Sequence, residues 1–237
     1  MRRLLLALPI ALAACGDSSG PAAGFECLGA PIPTTAPATV TVSGRVEQNA
    51  LSPTALGGAV VIAFRVGATD TLAIDTSFTS GSYSLSVSKG GTPVNGYLRA
   101  TESGHVDTYA YPSRPLFADL ATDILMPTTN ELAFLGTVVG VTQAAGNGFI
   151  GMIVKDCNGT TLAGATVTTS PAGSAVRYNS GSSPSSTATS TSSDGVAYVF
   201  NLPAGNVTVM ANVSGHTLRQ HIVNARADVV TLTEIQP

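Results

Sequence analysis

Apolar and polar residues alternate with period two along most of this chain, which is the spacing of strands with one buried and one wetter face. The clearest case is Val207, Val209, Ala211 and Val213, interleaved with Asn206, Thr208 and Asn212. A fully apolar run, Gly58-Ala59-Val60-Val61-Ile62-Ala63-Phe64, predicts a strand buried on both faces. Strands are predicted from Thr39 through Val46, and at 71–75, 82–87, 96–101, 106–111 and 122–125. A second series covers 149–155, 165–169, 175–178, 195–200, 207–213, 218–224 and 228–233. Gly67, Gly81, Gly90-Gly91, Ser103-Gly104 and Pro112 punctuate the first series as turns.

One stretch breaks the pattern. Between Thr128 and Ala145, Leu132, Leu135, Val138 or Val139, and Thr142 fall at helical spacing. Thr129 or Asn130 could cap this helix, and Gly146 and Gly148 would stop it. The run from Asn179 to Ser193 is rich in Ser, Thr and Gly and has no apolar period, so a mobile surface loop is expected there.

The two strand series look like copies. Ala100-Thr-Glu-Ser-Gly-His105 recurs as Ala211-Asn-Val-Ser-Gly-His216, Gly44 recurs as Gly151, and Gly58-Ala59 recurs as Gly164-Ala165. The offsets run from 106 to 111 positions, the size of a domain and too long for a solenoid unit. A tandem duplication is the simplest account.

Composition narrows the class. The chain has 237 residues, 44% of them hydrophobic and 11% charged, with 25 Gly, 14 Pro and no Trp. Its formal net charge of -3 gives no electrostatic footprint for nucleic acid. Thr, Val and Ser in excess over Leu, Glu and Lys favour strands and turns.

The first residues carry an address. Arg2 and Arg3 precede an apolar run from Leu4 to Leu12, which is about half the ~20 residues a spanning helix needs and contains Pro9. Leu12-Ala13-Ala14-Cys15 then resembles the lipobox of bacterial lipoproteins. That resemblance implies a signal peptide at 1–14, diacylglycerol on the Cys15 thiol, and a membrane as partner through the lipid. Gly16 after the cysteine resembles lipoproteins sent to the outer membrane of Gram-negative cells. Residues 15–37, rich in Gly, Ser, Pro, Ala and Thr, are expected to form a lipidated flexible tether. With Cys15 lipidated, Cys27 and Cys157 remain as an even pair, and a disulfide between them is expected in an exported protein.

The second half carries a more specific pattern. Gly151-Met-Ile-Val-Lys-Asp156-Cys-Asn-Gly159, followed by Leu162-Ala-Gly164-Ala165-Thr-Val167, resembles the opening of carboxypeptidase regulatory-like domains. Thr191-Ser-Ser-Asp194-Gly195-Val-Ala-Tyr-Val-Phe200-Asn-Leu202-Pro203-Ala-Gly205 resembles the second signature of that family. Thr161 stands where the family has Pro, and His216 where an aromatic is usual. The resemblance implies an all-β chain of two tandem transthyretin-like, seven-stranded β-sandwiches: 38–127 as a divergent first copy, 128–147 as a helical linker, and 148–237 as the second. It implies structural and binding roles and no peptidase zinc site.

Candidate chemistry is sparse. His105, His216 and His221 form no His-Glu-x-x-His, and no Cys-x-x-Cys or nucleophile elbow occurs. Neither a catalytic residue, a metal ligand nor a cofactor is assigned. If 105–111 is one strand, His105, Asp107, Tyr109 and Tyr111 share a face that leads to Arg114, and this polar, aromatic face is the candidate binding surface. The expected function is that of a non-enzymatic, lipid-anchored envelope protein whose sandwiches act as a binding or structural scaffold module, with an envelope protein or a glycan as partner. The alternative is a carbohydrate-binding surface lipoprotein of a glycan-uptake or degradation system.

Overall fold

The computed structural model describes residues 22–49 and 52–237. The signal segment and Cys15 lie outside the described residues. The first half contains β1 (Thr39–Gln48), β2 (Thr54–Ala55), β3 (Val60–Arg65), β4 (Thr71–Thr76), β5 (Ser82–Ser88), β6 (Gly96–Thr101), β7 (Thr108–Tyr111), β8 (Leu120–Ala121) and β9 (Ile124–Leu125). The helix α1 (Thr129–Val139) follows. The second half contains β10 (Gly148–Val154), β11 (Thr166–Ser170), β12 (Ala175–Ser180), β13 (Ser183–Ser185), β14 (Val196–Leu202), β15 (Gly205–Val213), β16 (His216–Thr217), β17 (His221–Ala225) and β18 (Val230–Ile235).

The chain is all-β, and each half is a sandwich. Pairing repeats between the halves. In the first, β1 pairs antiparallel with β5 and parallel with β8 and β9; in the second, β10 pairs antiparallel with β14 and parallel with β18. The opposing layers are β3-β6-β7 and β11-β15-β17, both antiparallel throughout. The recurring Gly44 and Gly151 occupy the same place, on the central strand beside its parallel neighbour. A Cβ at Gly44 would collide with the Thr122 carbonyl oxygen, and one at Gly151 would press on Leu232.

The halves are not separate beads. β7 pairs in parallel with β18, matching Thr108, Tyr109, Ala110 and Tyr111 with Val230, Thr231, Leu232 and Thr233. One sheet of nine strands therefore runs through the molecule in the order β13-β12-β14-β10-β18-β7-β6-β3-β4. Its two faces serve different cores. Val61, Ala63, Leu98, Ala100 and Ala110 point into a core with Val42, Leu85, Val87 and Ile124 of the first half's smaller sheet. Ile150, Met152, Val199 and Tyr111 point the other way, into a core with Val167, Val207, Val209 and Val223. Leu232 joins the first core, and α1 lays Leu132, Leu135 and Val139 on Phe149 and Phe200 farther along that face.

Three sequence expectations are corrected. The helix is capped by Thr128, not Thr129 or Asn130: its hydroxyl accepts from the Glu131 N–H, while the Glu131 carboxylate accepts from the Thr128 N–H. It ends at Gly140 in the left-handed conformation (φ 70°), before Gly146. The flexible tether does not extend to residue 37. Phe25 is buried and stacks on His216 with centroids 4.4 Å apart, the Cys157 N–H donates to the Gly24 carbonyl (2.9 Å), and the Ala36 N–H donates to that of Gly91 (2.9 Å).

The expected mobile loop at 179–193 is also built into the fold. β12 and β13 form a hairpin, and Asn179 and Thr191 are buried. The Thr191 hydroxyl accepts from the Ala165 N–H (2.9 Å) and donates to the Leu162 carbonyl (2.7 Å). Asn179 joins Asp194 (2.6 Å) and the Tyr198 hydroxyl (2.9 Å). Polar satisfaction, which carries no hydrophobic period, orders this segment.

Cys27 and Cys157 are joined by a disulfide with Cα atoms 5.7 Å apart and a sequence separation of 130 residues. In the chain-entropy model a loop of that length contributes roughly 5 kcal/mol. Denatured but unreduced protein should leave neither sulfur open to alkylation, and the Cys27→Ser/Cys157→Ser variant should lose most of that stability in denaturant titrations. Full alkylation without reductant would show that the bond does not form.

Candidate functional site

The anticipated face is assembled only in part. β7 begins at Thr108, and Asp107, Tyr109 and Tyr111 do alternate onto one side. His105 is not on that side. It closes the turn between β6 and β7, its N–H donating to the Glu102 carbonyl (3.2 Å), with Nδ1 2.8 Å from Glu102 Oε2 and Nε2 3.0 Å from Gln48 Oε1. Left-handed Gly104 (φ 83°) makes this corner, so strand alternation does not reach His105. Arg114 lies beyond the strand, its guanidinium 3.4 Å from Gln236 Oε1 and 3.5 Å from the Pro237 carbonyl. Burial and nearby Arg219 lower its pKa.

The side chains that join Tyr109 and Tyr111 come from other strands. On the second-core side of the nine-stranded sheet, Phe64 and Tyr97 stack at 5.4 Å, and Tyr97 lies 5.9 Å from Tyr109 and 5.2 Å from Tyr111. Arg226, from the turn after β17, caps the row. Its Cζ is 3.8 Å from the Tyr109 ring centroid and 5.1 Å from that of Tyr97, and Nη1 donates to the Tyr111 hydroxyl (3.0 Å). Arg99, across from Tyr109, pairs with Asp107 at 2.7 Å. The Asp107 hydrogen bond is the main reason the Arg99 pKa is raised, while burial raises that of Tyr111 against the opposing pull of Arg226.

The chemistry open to this arrangement is limited. The Tyr109 ring face, which a sugar would need, is occupied by a guanidinium of the chain itself. Asp107 is engaged by Arg99, and Tyr111 is 6% exposed. Arg226 has no signal in its own neighbourhood, Ala225-Arg226-Ala227, that could have placed it there. Toward the chain end, a cavity of about 240 Å³ is lined by Tyr111, Ser113, Arg114, Phe117, Glu234 and Gln236. Glu234 is held there by Lys155, and the Ser113 hydroxyl donates to Gln236 Oε1 (3.0 Å). Among the described residues, no group of three or more His, Cys, Asp and Glu side chains is placed to hold a metal.

The signature residues of the second half act in its turns. Asp156 Oδ1 accepts from the Asn158 and Thr160 N–H groups (both 2.8 Å), and Asp194 Oδ1 accepts from Val196 N–H (3.1 Å). Gly159 and Gly195 take positive φ of 83° and 69°. The Thr161 hydroxyl donates to the Ser193 carbonyl (2.6 Å), tying the two turns together.

No family model matches the chain, and no curated protein does. Solved structures with partial likeness include a type II cohesin–X-dockerin complex from Acetivibrio cellulolyticus, at 18% identity over 37% of this chain and 56% of that one, TM-score 0.27. The shaft pilin SpaA of Lactobacillus rhamnosus GG aligns at 12% identity over 86% of this chain and 98% of that one, TM-score 0.26. The major pilin subunit BcpA of Bacillus cereus aligns at 8% identity over 83% and 99%, TM-score 0.27. The chain thus spans little more than half of the cohesin–dockerin chain it matches. Scores at this level assign neither a family nor an activity.

Two outcomes follow from the site. Arg226→Ala removes a cation–π contact of ~0.5–2 kcal/mol and a hydrogen bond of ~0.5–1.5 kcal/mol. It should therefore destabilise the fold by ~1–3 kcal/mol in urea titrations, and an unchanged midpoint would mean that the cap is not formed. His221 is partly buried, with Nε2 2.7 Å from the Thr233 hydroxyl, and burial pushes its pKa down to about 4. The unfolded chain, with a His pKa near 6.5, binds the proton first. Stability should hold above pH 6.5, fall by ~3 kcal/mol as pH drops toward 4, and level off below. His221→Gln should flatten that slope.

Proposed function

We propose that this chain is a non-enzymatic, lipid-anchored protein of the cell envelope. Diacylglycerol on Cys15 holds it to the membrane, the outer one in a Gram-negative cell, and its fused sandwiches act as a binding or structural scaffold module. The observation that carries the reading is the nine-stranded sheet running through both halves. A sheet shared by two cores makes a stiff two-lobed body. The groups that could do chemistry are spent on holding it together: Arg99 on Asp107, Lys155 on Glu234, His105 between Glu102 and Gln48, His221 on Thr233. General acid–base or nucleophilic catalysis needs such groups converging on an open site.

The glycan-binding reading has less support. Aromatic platforms need exposed ring faces, and Arg226 lies on the best placed one. A protein partner is the better match to this surface.

The anchor and the role are tested together in intact cells. The natural chain should incorporate labelled fatty acid and sediment with membranes, and Cys15→Ser should do neither. A photoreactive residue in place of the 63%-exposed Ile74 should give a discrete protein adduct in intact envelopes. Turnover of ester, peptide or glycoside substrates by purified protein would overturn the non-enzymatic reading. Adducts formed with polysaccharide alone would favour the alternative.

A further inference from the structure

The nine-stranded sheet has two unlike ends. β7, β18 and β10 run parallel, so Tyr111, Ile235 and Val154 finish at the same end. The register carries that end across the first half: Leu98 lies opposite Ala110, and Gly96 opposite Arg65, so the β3–β4 turn with Val66 belongs there as well. The opposite end holds Thr108, Val230 and Phe149 at the strand starts, together with Thr101 and Val60. The β6–β7 turn at Ser103-Gly104 projects from it. So does exposed Phe78, two residues past Thr76, which pairs with Val60.

The N-terminal segment is fixed to the first of these ends at four points. Cys27 is bonded to Cys157, in the turn that follows β10. The Gly24 carbonyl accepts from the Cys157 N–H, the Phe25 ring stacks on His216, and the Ala30 carbonyl accepts from the Arg219 guanidinium. Free chain is thereby removed from the path between Cys15 and the fold. From Cys15 to Gly24 the backbone reaches at most ~30 Å, whereas an unpinned segment running to Ala38 would reach ~80 Å. The strands hold the two ends roughly 20 Å apart.

We infer that the disulfide sets the orientation of the protein on its membrane: the end bearing Asn158, Val66 and Arg114 faces the lipid headgroups, and the end bearing Ser103 and Phe78 faces away. The inference rests on the lipid anchor at Cys15. Reduction of that bond would leave only the three non-covalent contacts to hold the segment, and each excursion from them would put the body on a longer leash. The outward end, with its exposed Phe78, is then the one open to other envelope proteins.

The absence of Trp makes the test direct, because a single introduced Trp is the sole indole donor. Full-length lipidated protein is reconstituted in phosphatidylcholine–phosphatidylglycerol vesicles that carry a headgroup energy acceptor. Asn158→Trp and Val66→Trp should lose several-fold more donor emission than Ser103→Trp and Phe78→Trp. All four positions are exposed surface, and retention of the far-ultraviolet spectrum of the natural chain checks their folding. Adding Cys27→Ser/Cys157→Ser should shrink the difference between the two pairs. Equal losses at both ends in the bonded, vesicle-bound protein would overturn the orientation and leave the anchor standing. Protein that fails to float with the vesicles would overturn both.

Discussion

The structure depends on four residue pairs, those between β7 and β18. Parallel strands are stable when both faces are covered, and these two strands meet that condition by belonging to both cores. Ala110 and Leu232 turn toward the first, while Tyr111 turns toward the second with Ile150 and Met152. The seam also buries hydroxyls, which would be costly without partners. Each has one: Thr108 donates to the Val106 carbonyl, Thr231 to that of Asn224, and Thr233 to that of Tyr111. A wrong register here would empty both cores and strand three hydroxyls at once, so the seam fixes how the halves meet.

The internal repeat acquires a physical meaning from that seam. Most strands of the two halves pair in the same order, yet the halves join through unlike sheets: the β3-β6-β7 layer of the first continues into the β14-β10-β18 layer of the second. Two halves joined in this way alternate which face they bury. The halves diverge at one strand. β12 stays beside β14, whereas its counterpart β4 pairs with β3 and becomes the edge of the long sheet. Asp75 ties that edge back, accepting from the Ser84 N–H (2.8 Å). The corner is closed by a side chain where the second half uses a backbone ladder.

Period two made nearly every strand visible in the sequence, because a strand's alternation is local. What the alternation could not show was partnership. Alternation puts Tyr109 and Tyr111 on one face, but nothing in 105–111 indicates that Arg226, more than a hundred residues on, lies over that face. His105 leaves that face because the Ser103-Gly104 corner interrupts the alternation before β7 begins. The 179–193 run hides its order for a different reason: that order comes from hydrogen bonds of Thr191 and Asn179, which leave no mark on a hydrophobic profile. Hydrophobic spacing alone does not fix the helix limits, whereas Thr128 and Glu131, at capping-box spacing, mark its start.

The buried residues explain why an N-terminal cross-link has consequences beyond its neighbourhood. Both cores are filled chiefly by Val and Ala, and among the described residues Phe200 is the one aromatic in the set of largest fully buried side chains. Small side chains pack closely between sheets but each removes little apolar area from water. A fold built this way draws more of its net stability from constraints on the unfolded chain. The Cys27–Cys157 bond is such a constraint, since it encloses the whole first half and the start of the second. It also carries the N-terminal segment directly to the turn after β10, a strand in the middle of the long sheet, so a pull on that segment is delivered to the part of the molecule with the most neighbours to share it.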